Sequence, residues 1–195
     1  MDGAPKNSSL HRRILDTLMR RYDTPVMSNV YRADYVECLV VLALGMDWWL
    51  TWERGWDWAA WDIQHTSGAR LEVKQAAARQ SWDREKRAPY RSPRFDVAPR
   101  TGYWTEDGNQ WVDSPGRPAD LYVFAWHDER REGYADHSDP HQWRFFAVAE
   151  QYLPPNRKSI GLTGLRAIVS PCRIADLKRT VENACPARVD LKAGL

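Results

Sequence analysis

The sequence predicts an α/β (α+β) domain in which a mixed central β-sheet is flanked by helices. Residues 35–44 are apolar on every side except at Glu37, which is typical of a buried helix. Residues 69–75 alternate polar and apolar side chains, the pattern of a half-buried strand. Residues 120–126 and 143–149 are apolar runs that favour two neighbouring buried strands.

One domain accounts for the whole length. A chain of 195 residues can bury a sizeable core but is short for two domains. We therefore expect a single domain over residues 1–195, with its core at about 30–148. An amphipathic helix over residues 9–22 and another over residues 171–184 would be additions to this core.

Capping signals delimit the central helix. Ser28 or Asn29 can cap its first turn, and Gly45 can end it. Further along, Asp107 and Gly108 are expected to form the turn of a hairpin, which has no assigned chemistry.

The predicted hairpin before residue 75 brings two acids together. Residues 58–64 are rich in aromatic and β-branched side chains and are interpreted as the strand that precedes the turn at Ser67. If the hairpin is centred on Ser67, Asp62 lies opposite Glu72, with their Cβ atoms roughly 5 Å apart. Lys74 shares the face of Glu72, whereas a register slip of one residue would separate the acids.

Two carboxylates this close repel each other unless a cation lies between them. Mg²⁺ or Mn²⁺ suits such a site, because these ions favour oxygen ligands and retain water molecules that can attack a phosphodiester. Lys74 would orient that water, and the carbonyl of Val73 could be a further ligand. Glu37 is a third acid that needs a cation. The alternatives are an ordinary ion cluster on the sheet, and a Glu37 that pairs with an arginine or lies at a helix edge.

These residues resemble the PD-(D/E)xK nuclease superfamily over about residues 30–148. Asp62 matches the first acid of the motif, Glu72 and Lys74 match its E-x-K element, and Trp61 stands where a proline is common. The resemblance implies a restriction-endonuclease-like core of a helix, three antiparallel strands, a second helix and a further strand. It also implies auxiliary roles for Glu37 and Gln75. The segment after Lys74 lacks the pattern of an amphipathic helix.

A basic, proline-containing segment over residues 83–100 follows the E-x-K strand and could bind the DNA backbone. The alternative is a solvated loop. Its basic residues are Arg84, Lys86, Arg87, Arg91, Arg94 and Arg100. The net charge of the chain is only +2, so a polyanion surface has to be local.

Other side chains have weaker interpretations. His127, His137 and His141 invite a zinc hypothesis, but their segment is expected to be an exposed loop. Six tryptophans lie between residues 48 and 61, and we expect most of them in the core and some stacked on unpaired bases. Three widely spaced cysteines favour a reducing cytoplasm over disulfides.

The sequence therefore predicts a metal-dependent DNA endonuclease. DNA is the expected partner and homodimerisation is left open, without a membrane segment or a nucleotide cofactor. Two other functions remain open. One is a catalytically inactive nuclease-fold module that binds DNA or supports assembly, and the other is a hydrolase of small nucleotides or sugar phosphates.

Overall fold

The computed structural model describes residues 9–105 and 107–186. The strands of these ranges are β1 (Trp48–Leu50), β2 (Ile63–His65), β3 (Arg70–Ala77), β4 (Arg94–Asp96), β5 (Tyr103–Trp104), β6 (Trp111–Val112), β7 (Leu121–His127), β8 (Trp143–Ala149) and β9 (Ser159–Gly161). The helices are α1 (Ser9–Met19), α2 (Asn29–Leu44), α3 (Leu162–Ile168) and α4 (Leu177–Ala184). The prediction of a mixed sheet flanked by helices is confirmed.

The central sheet has the order β1-β2-β3-β7-β8. β3 and β7 are parallel, and the other neighbouring strands are antiparallel. Two smaller ribbons, β4 with β9 and β5 with β6, complete the strand pairing. The predicted strands at residues 120–126 and 143–149 are β7 and β8, and their predicted pairing is confirmed.

Both faces of the sheet are covered by a hydrophobic core, and the side chains of β7 alternate between the two cores. Leu121 and Val123 belong to a core with α2 and α4, while Tyr122 and Phe124 belong to a second core with β4, β9 and α3. Within β3, Leu71 and Val73 belong to the first core. Since strand side chains alternate, Glu72 and Lys74 lie on the face of the second core.

The predicted limits of α2 are confirmed. The helix follows Ser28, whose backbone is extended, and it ends at Gly45. Gly45 has a φ of 100°, a conformation that a side chain would strain.

The terminal helices are shorter than predicted. α1 ends at Met19, and none of its residues is buried. Cys172 forms a β-bridge with Phe145, so the chain is still extended there and α4 begins later, after a short 3₁₀ turn (Ile174–Asp176). Leu177 and Val181 of α4 are buried, as expected of an amphipathic helix.

Two further expectations differ from the structure. Of the strand predicted over residues 58–64, only Ile63 and Gln64 belong to β2, because the chain before them turns, with the Ala59 N–H donating to the Trp56 carbonyl (3.1 Å). Between β3 and β7, residues 78–105 and 107–120 contain no helix. Prolines in this segment, which lack an amide donor, favour the extended chain that contains β4, β5 and β6.

In the described ranges, no helix combines the length and the apolar character needed to span a membrane.

Candidate active site

The hairpin register brings Asp62 to β3. Ile63 pairs with Leu71 and Gln64 with Arg70, which is the predicted register. Asp62 lies just before β2, where its N–H donates to the Leu71 carbonyl (3.1 Å). Its Oδ2 accepts a hydrogen bond from the Val73 N–H (2.7 Å). The Asp62 carboxylate therefore accepts a hydrogen bond from β3 just before β2 begins, and this bond fixes the position of the carboxylate.

Glu72 and Lys74 lie together beside this acid. Glu72 is buried (5% exposed), and the Lys74 ammonium donates a hydrogen bond to its carboxylate. Both residues line a narrow cleft on the second face of the sheet, together with Asp96, Arg100 and Tyr122. The cleft thus contains acidic, basic and phenolic groups around the predicted E-x-K element.

Asp96 and Tyr122 are cleft residues that the sequence did not identify. Tyr122 is the parallel cross-strand neighbour of Glu72, and the sequence of each strand alone does not reveal this register. Asp96 reaches the cleft because β4 pairs with the distant strand β9, for which the sequence carries no local signal. Its Oδ1 accepts a hydrogen bond from the Ala98 N–H (3.0 Å).

The pKa values of Asp62 and Glu37 are raised by burial and by neighbouring acids. Burial raises the pKa of Asp62 well above its usual range, and the charges of Glu72 and Glu37 raise it further. Burial also raises the pKa of Glu37 to about 7, with contributions from Asp34 and Glu72. Glu37 on α2 therefore interacts electrostatically with Glu72. The group carries an excess of negative charge that a cation would relieve.

Lys74 provides part of that relief. Burial lowers the pKa of its ammonium, but the charge and hydrogen bond of Glu72 and the charge of Asp62 outweigh this effect, so the pKa is raised. Lys74 is consequently a cation at neutral pH.

The side chains fit a divalent metal by their donor chemistry. Asp62, Glu72 and Glu37 offer the carboxylate oxygens that Mg²⁺ and Mn²⁺ prefer. In the part of the chain that the structure describes, however, no three His, Cys, Asp or Glu side chains converge as a ready-made metal-binding group. The fit therefore rests on the type of donors and on their shared negative charge.

Gln75 does not belong to this group of side chains. Its Oε1 accepts a hydrogen bond from Nε of Arg32 (2.7 Å), and its Nε2 donates to Oδ1 of Asn29 (3.1 Å). Arg32 is only 1% exposed, and burial lowers its pKa to about 10, so it remains charged at neutral pH. The auxiliary catalytic role implied for Gln75 is thus corrected to a structural one, since strand alternation directs it away from Lys74.

The basic segment divides into different environments. Arg100 reaches the cleft, whereas Arg91 makes a two-pronged ion pair with the buried carboxylate of Asp83 (2.6 and 2.8 Å). Arg91 therefore has a structural partner within the protein and does not need DNA to balance its charge. Arg94 donates to Ser159 (3.3 Å) from an exposed position on β4. The residues Arg84, Lys86 and Arg87 are exposed on the surface.

The histidine segment is less exposed than predicted. His127 and His137 are fully buried with their ring centroids 4.8 Å apart, while His141 is exposed. Burial lowers the pKa of both buried imidazoles, that of His137 to about 2. His137 accepts a hydrogen bond from the Met27 N–H (3.0 Å), which ties this segment to the start of α2.

The tryptophan cluster has mixed environments. Trp48 and Trp61 are buried in the core, Trp49 and Trp56 are partly buried, and Trp52 and Trp58 are exposed. The expectation that most of the six would lie in the core is therefore wrong, since two of them are buried.

Comparisons of this chain with protein-family models, with curated proteins and with solved structures found no match.

Proposed function

We propose that this chain is a Mg²⁺- or Mn²⁺-dependent nuclease with a restriction-endonuclease-like core that hydrolyses phosphodiester bonds in DNA. The observation that supports this proposal best is the hydrogen bond from the Val73 N–H to Asp62, which fixes this carboxylate beside Glu72 and Lys74. Arg100, in the same cleft, supplies positive charge for a phosphate. This combination suits phosphodiester hydrolysis better than an ordinary surface ion cluster, because Glu72 is buried.

Each side chain has a role in this reaction. Asp62 and Glu72 would hold the metal, with Glu37 and the Val73 carbonyl as auxiliary ligands. A bound divalent ion supplies positive charge to the phosphate and acidifies a water molecule. Lys74 is protonated at neutral pH, so its ammonium can orient the attacking water and stabilise the negative charge that develops on the phosphate. Arg100 would hold the substrate phosphate in the cleft.

The proposed partner is DNA, with a homodimer as one assembly in which the chain could act. We assign the activity to the cytoplasm from the cysteine content of the sequence, since secreted domains commonly depend on disulfides.

A non-catalytic DNA-binding module is the second candidate. Two observations favour it: Lys74 already pairs with Glu72, and in the described ranges no three potential ligands converge as a metal-binding group. Such a module would bind DNA in a salt-dependent manner without metal-dependent cutting. Substitution of Asp62 would leave that binding unchanged.

The test is a cleavage assay with purified protein and supercoiled, linear duplex, single-stranded and branched DNA. Each DNA is incubated with Mg²⁺, with Mn²⁺ or with a chelator. We expect cleavage that requires the metal. Glu72→Ala and Lys74→Ala should each retain the fold and DNA binding but reduce the cleavage rate by about a thousandfold or more. The first removes a ligand of the metal, and the second removes the ammonium that orients the attacking water and stabilises charge on the phosphate.

Matched controls change exposed residues of the same types away from the cleft. Glu182→Ala on α4 and Lys158→Ala before β9 should cleave at the wild-type rate. Cleavage that persists in chelator, or that survives in both Glu72→Ala and Lys74→Ala, would contradict the proposal. Metal-independent binding without cleavage would instead support the second candidate.

A further inference from the structure

The β5–β6 hairpin presents aromatic side chains to solvent. Trp104 is 41% exposed and Trp111 is 44% exposed, although indoles usually bury most of their area. The two residues are direct cross-strand partners, and their rings meet edge to face with centroids 5.5 Å apart. A third indole, Trp58, is 64% exposed next to the turn of this hairpin.

Two of these indoles pack closely against glycines of the hairpin. Trp111 lies so close to the backbone of Gly102 that a Cβ at residue 102 would come within 2.7 Å of its ring. Trp58 lies against Gly108 in the same way, where a Cβ would come within 2.5 Å of its ring. Both glycines are therefore required for the indoles to lie where they do. Aromatic groups that are already ordered lose little conformational entropy when they bind a ligand.

The base of the hairpin adjoins the proposed active site. Arg100 and Gly116 close the hairpin through two backbone hydrogen bonds (2.7 and 2.9 Å), and the Arg100 side chain lines the cleft with Glu72 and Lys74. At the start of β5, the Tyr103 ring contacts that of Trp61, with centroids 6.0 Å apart. Trp61 directly precedes Asp62, so the aromatic hairpin and the acids share one neighbourhood.

Exposed indoles beside a phosphate-binding cleft suit one feature of a nucleic acid. Every base has two flat faces, but in a duplex these faces are covered by neighbouring base pairs. Unpaired bases leave their faces free to stack on aromatic side chains. Arg100 would meanwhile contact the backbone of the same strand.

We propose that Trp104 and Trp111 stack on unpaired bases next to the cleaved phosphodiester, so that the substrate is DNA with a single-stranded segment. This inference rests on the proposed nuclease function and adds the substrate class. A hairpin whose indoles only stabilise its own two strands would make the opposite prediction, namely no effect on substrate choice.

The test compares binding to a labelled single-stranded oligonucleotide with binding to a blunt duplex of the same sequence, by fluorescence anisotropy in chelator. The wild type should bind the single strand more tightly than the duplex. Replacing one indole by leucine should weaken single-strand binding about tenfold, and replacing both should weaken it about a hundredfold, with little effect on the duplex.

The choice of variants separates stacking from folding. Trp104→Leu and Trp111→Leu retain apolar contact across the hairpin but remove the aromatic face, whereas Trp104→Phe and Trp111→Phe retain a smaller aromatic face. We expect the phenylalanine variants to recover much of the lost affinity. Tyr134→Leu is the control and should bind as the wild type does, because Tyr134 is also an exposed aromatic residue (62%) but lies between β7 and β8, outside the hairpin.

Cleavage in Mg²⁺ distinguishes failure of this inference from failure of the proposed function. If a forked DNA and a blunt duplex are cut at equal rates, or if the double leucine variant retains wild-type single-strand affinity, the stacking inference is overturned while the nuclease remains. If the wild type neither binds nor cuts any of these DNAs, both are overturned.

Discussion

Asp62→Asn is expected to stabilise the metal-free protein while it abolishes cleavage. An asparagine side chain keeps an oxygen that can accept the hydrogen bond from the Val73 N–H. It removes a buried negative charge that is repelled by Glu72 and Glu37. Because the folded-state pKa of Asp62 is raised, its ionised form disfavours folding at pH values above its usual pKa.

The size of the effect follows from the contacts of Asp62. Like charges about 5 Å apart at a partly buried site repel by on the order of 1–3 kcal/mol. Lys74 attracts Asp62 and offsets part of this repulsion. We therefore expect the free energy of unfolding to rise by about 1 kcal/mol at pH 8 in chelator. Asp62→Ala also removes the charge but leaves the Val73 N–H without its acceptor, so it should be about 1–3 kcal/mol less stable than Asp62→Asn.

Urea denaturation in chelator measures these differences, with equal slopes of free energy against urea as the condition for comparing them. Both variants should be inactive in the cleavage assay. Asp23→Asn, at an exposed acid outside the cleft, is the control and should change neither quantity. If Asp62→Asn were instead clearly less stable than the wild type, repulsion between the acids would not be the dominant interaction, and the argument for a cation site would fail.

Two further predictions concern residues outside the acid group. Gln75→Ala should cost about 1–2 kcal/mol of stability in urea denaturation, because Arg32 loses a hydrogen-bond partner, and it should leave the rate of cleavage unchanged; a large loss of cleavage with an intact fold would return Gln75 to the active site. His137 should make the protein less stable in acid, since its folded-state pKa lies below the unfolded value and its contribution is lost as the pH falls below about 6.5. Between pH 7.5 and pH 5 this loss is about 2 kcal/mol, and it should disappear in His137→Asn but persist in His141→Asn.

The local parts of the site could be predicted from the sequence. The alternation of residues 69–75 gave the faces of Glu72 and Lys74, and the turn at Ser67 and Gly68 gave the register that brings Asp62 to β3. Gly68 has a φ of 89°, a conformation that suits glycine in a turn. These features depend on residues a few positions apart, so the sequence contains the information they need.

The environment of Gln75 could not be predicted in the same way. A strand pattern indicates that Gln75 faces away from Lys74, but its partners Arg32 and Asn29 lie on α2, far away in the chain. The family resemblance assigned Gln75 by its position after the lysine, whereas the contacts with α2 give it a structural partner. The predicted exposure of His127 and His137 was wrong for a similar reason. Both rings pack against Trp143, and His137 also accepts a hydrogen bond from the Met27 N–H.

By itself, the sequence determined the limits of helix α2, the buried strands β7 and β8, and the hairpin that joins Asp62 to β3. Only the tertiary structure decided that Asp96, Arg100 and Tyr122 complete the cleft, and that the aromatic β5–β6 hairpin lies beside it. Side-chain alternation and turn preferences depend on residues a few positions apart, so they can be recognised in the sequence. The cleft instead depends on the parallel pairing of β3 with β7 and on the pairing of β4 with β9, which join segments that are distant in sequence and form only when both faces of the sheet are packed.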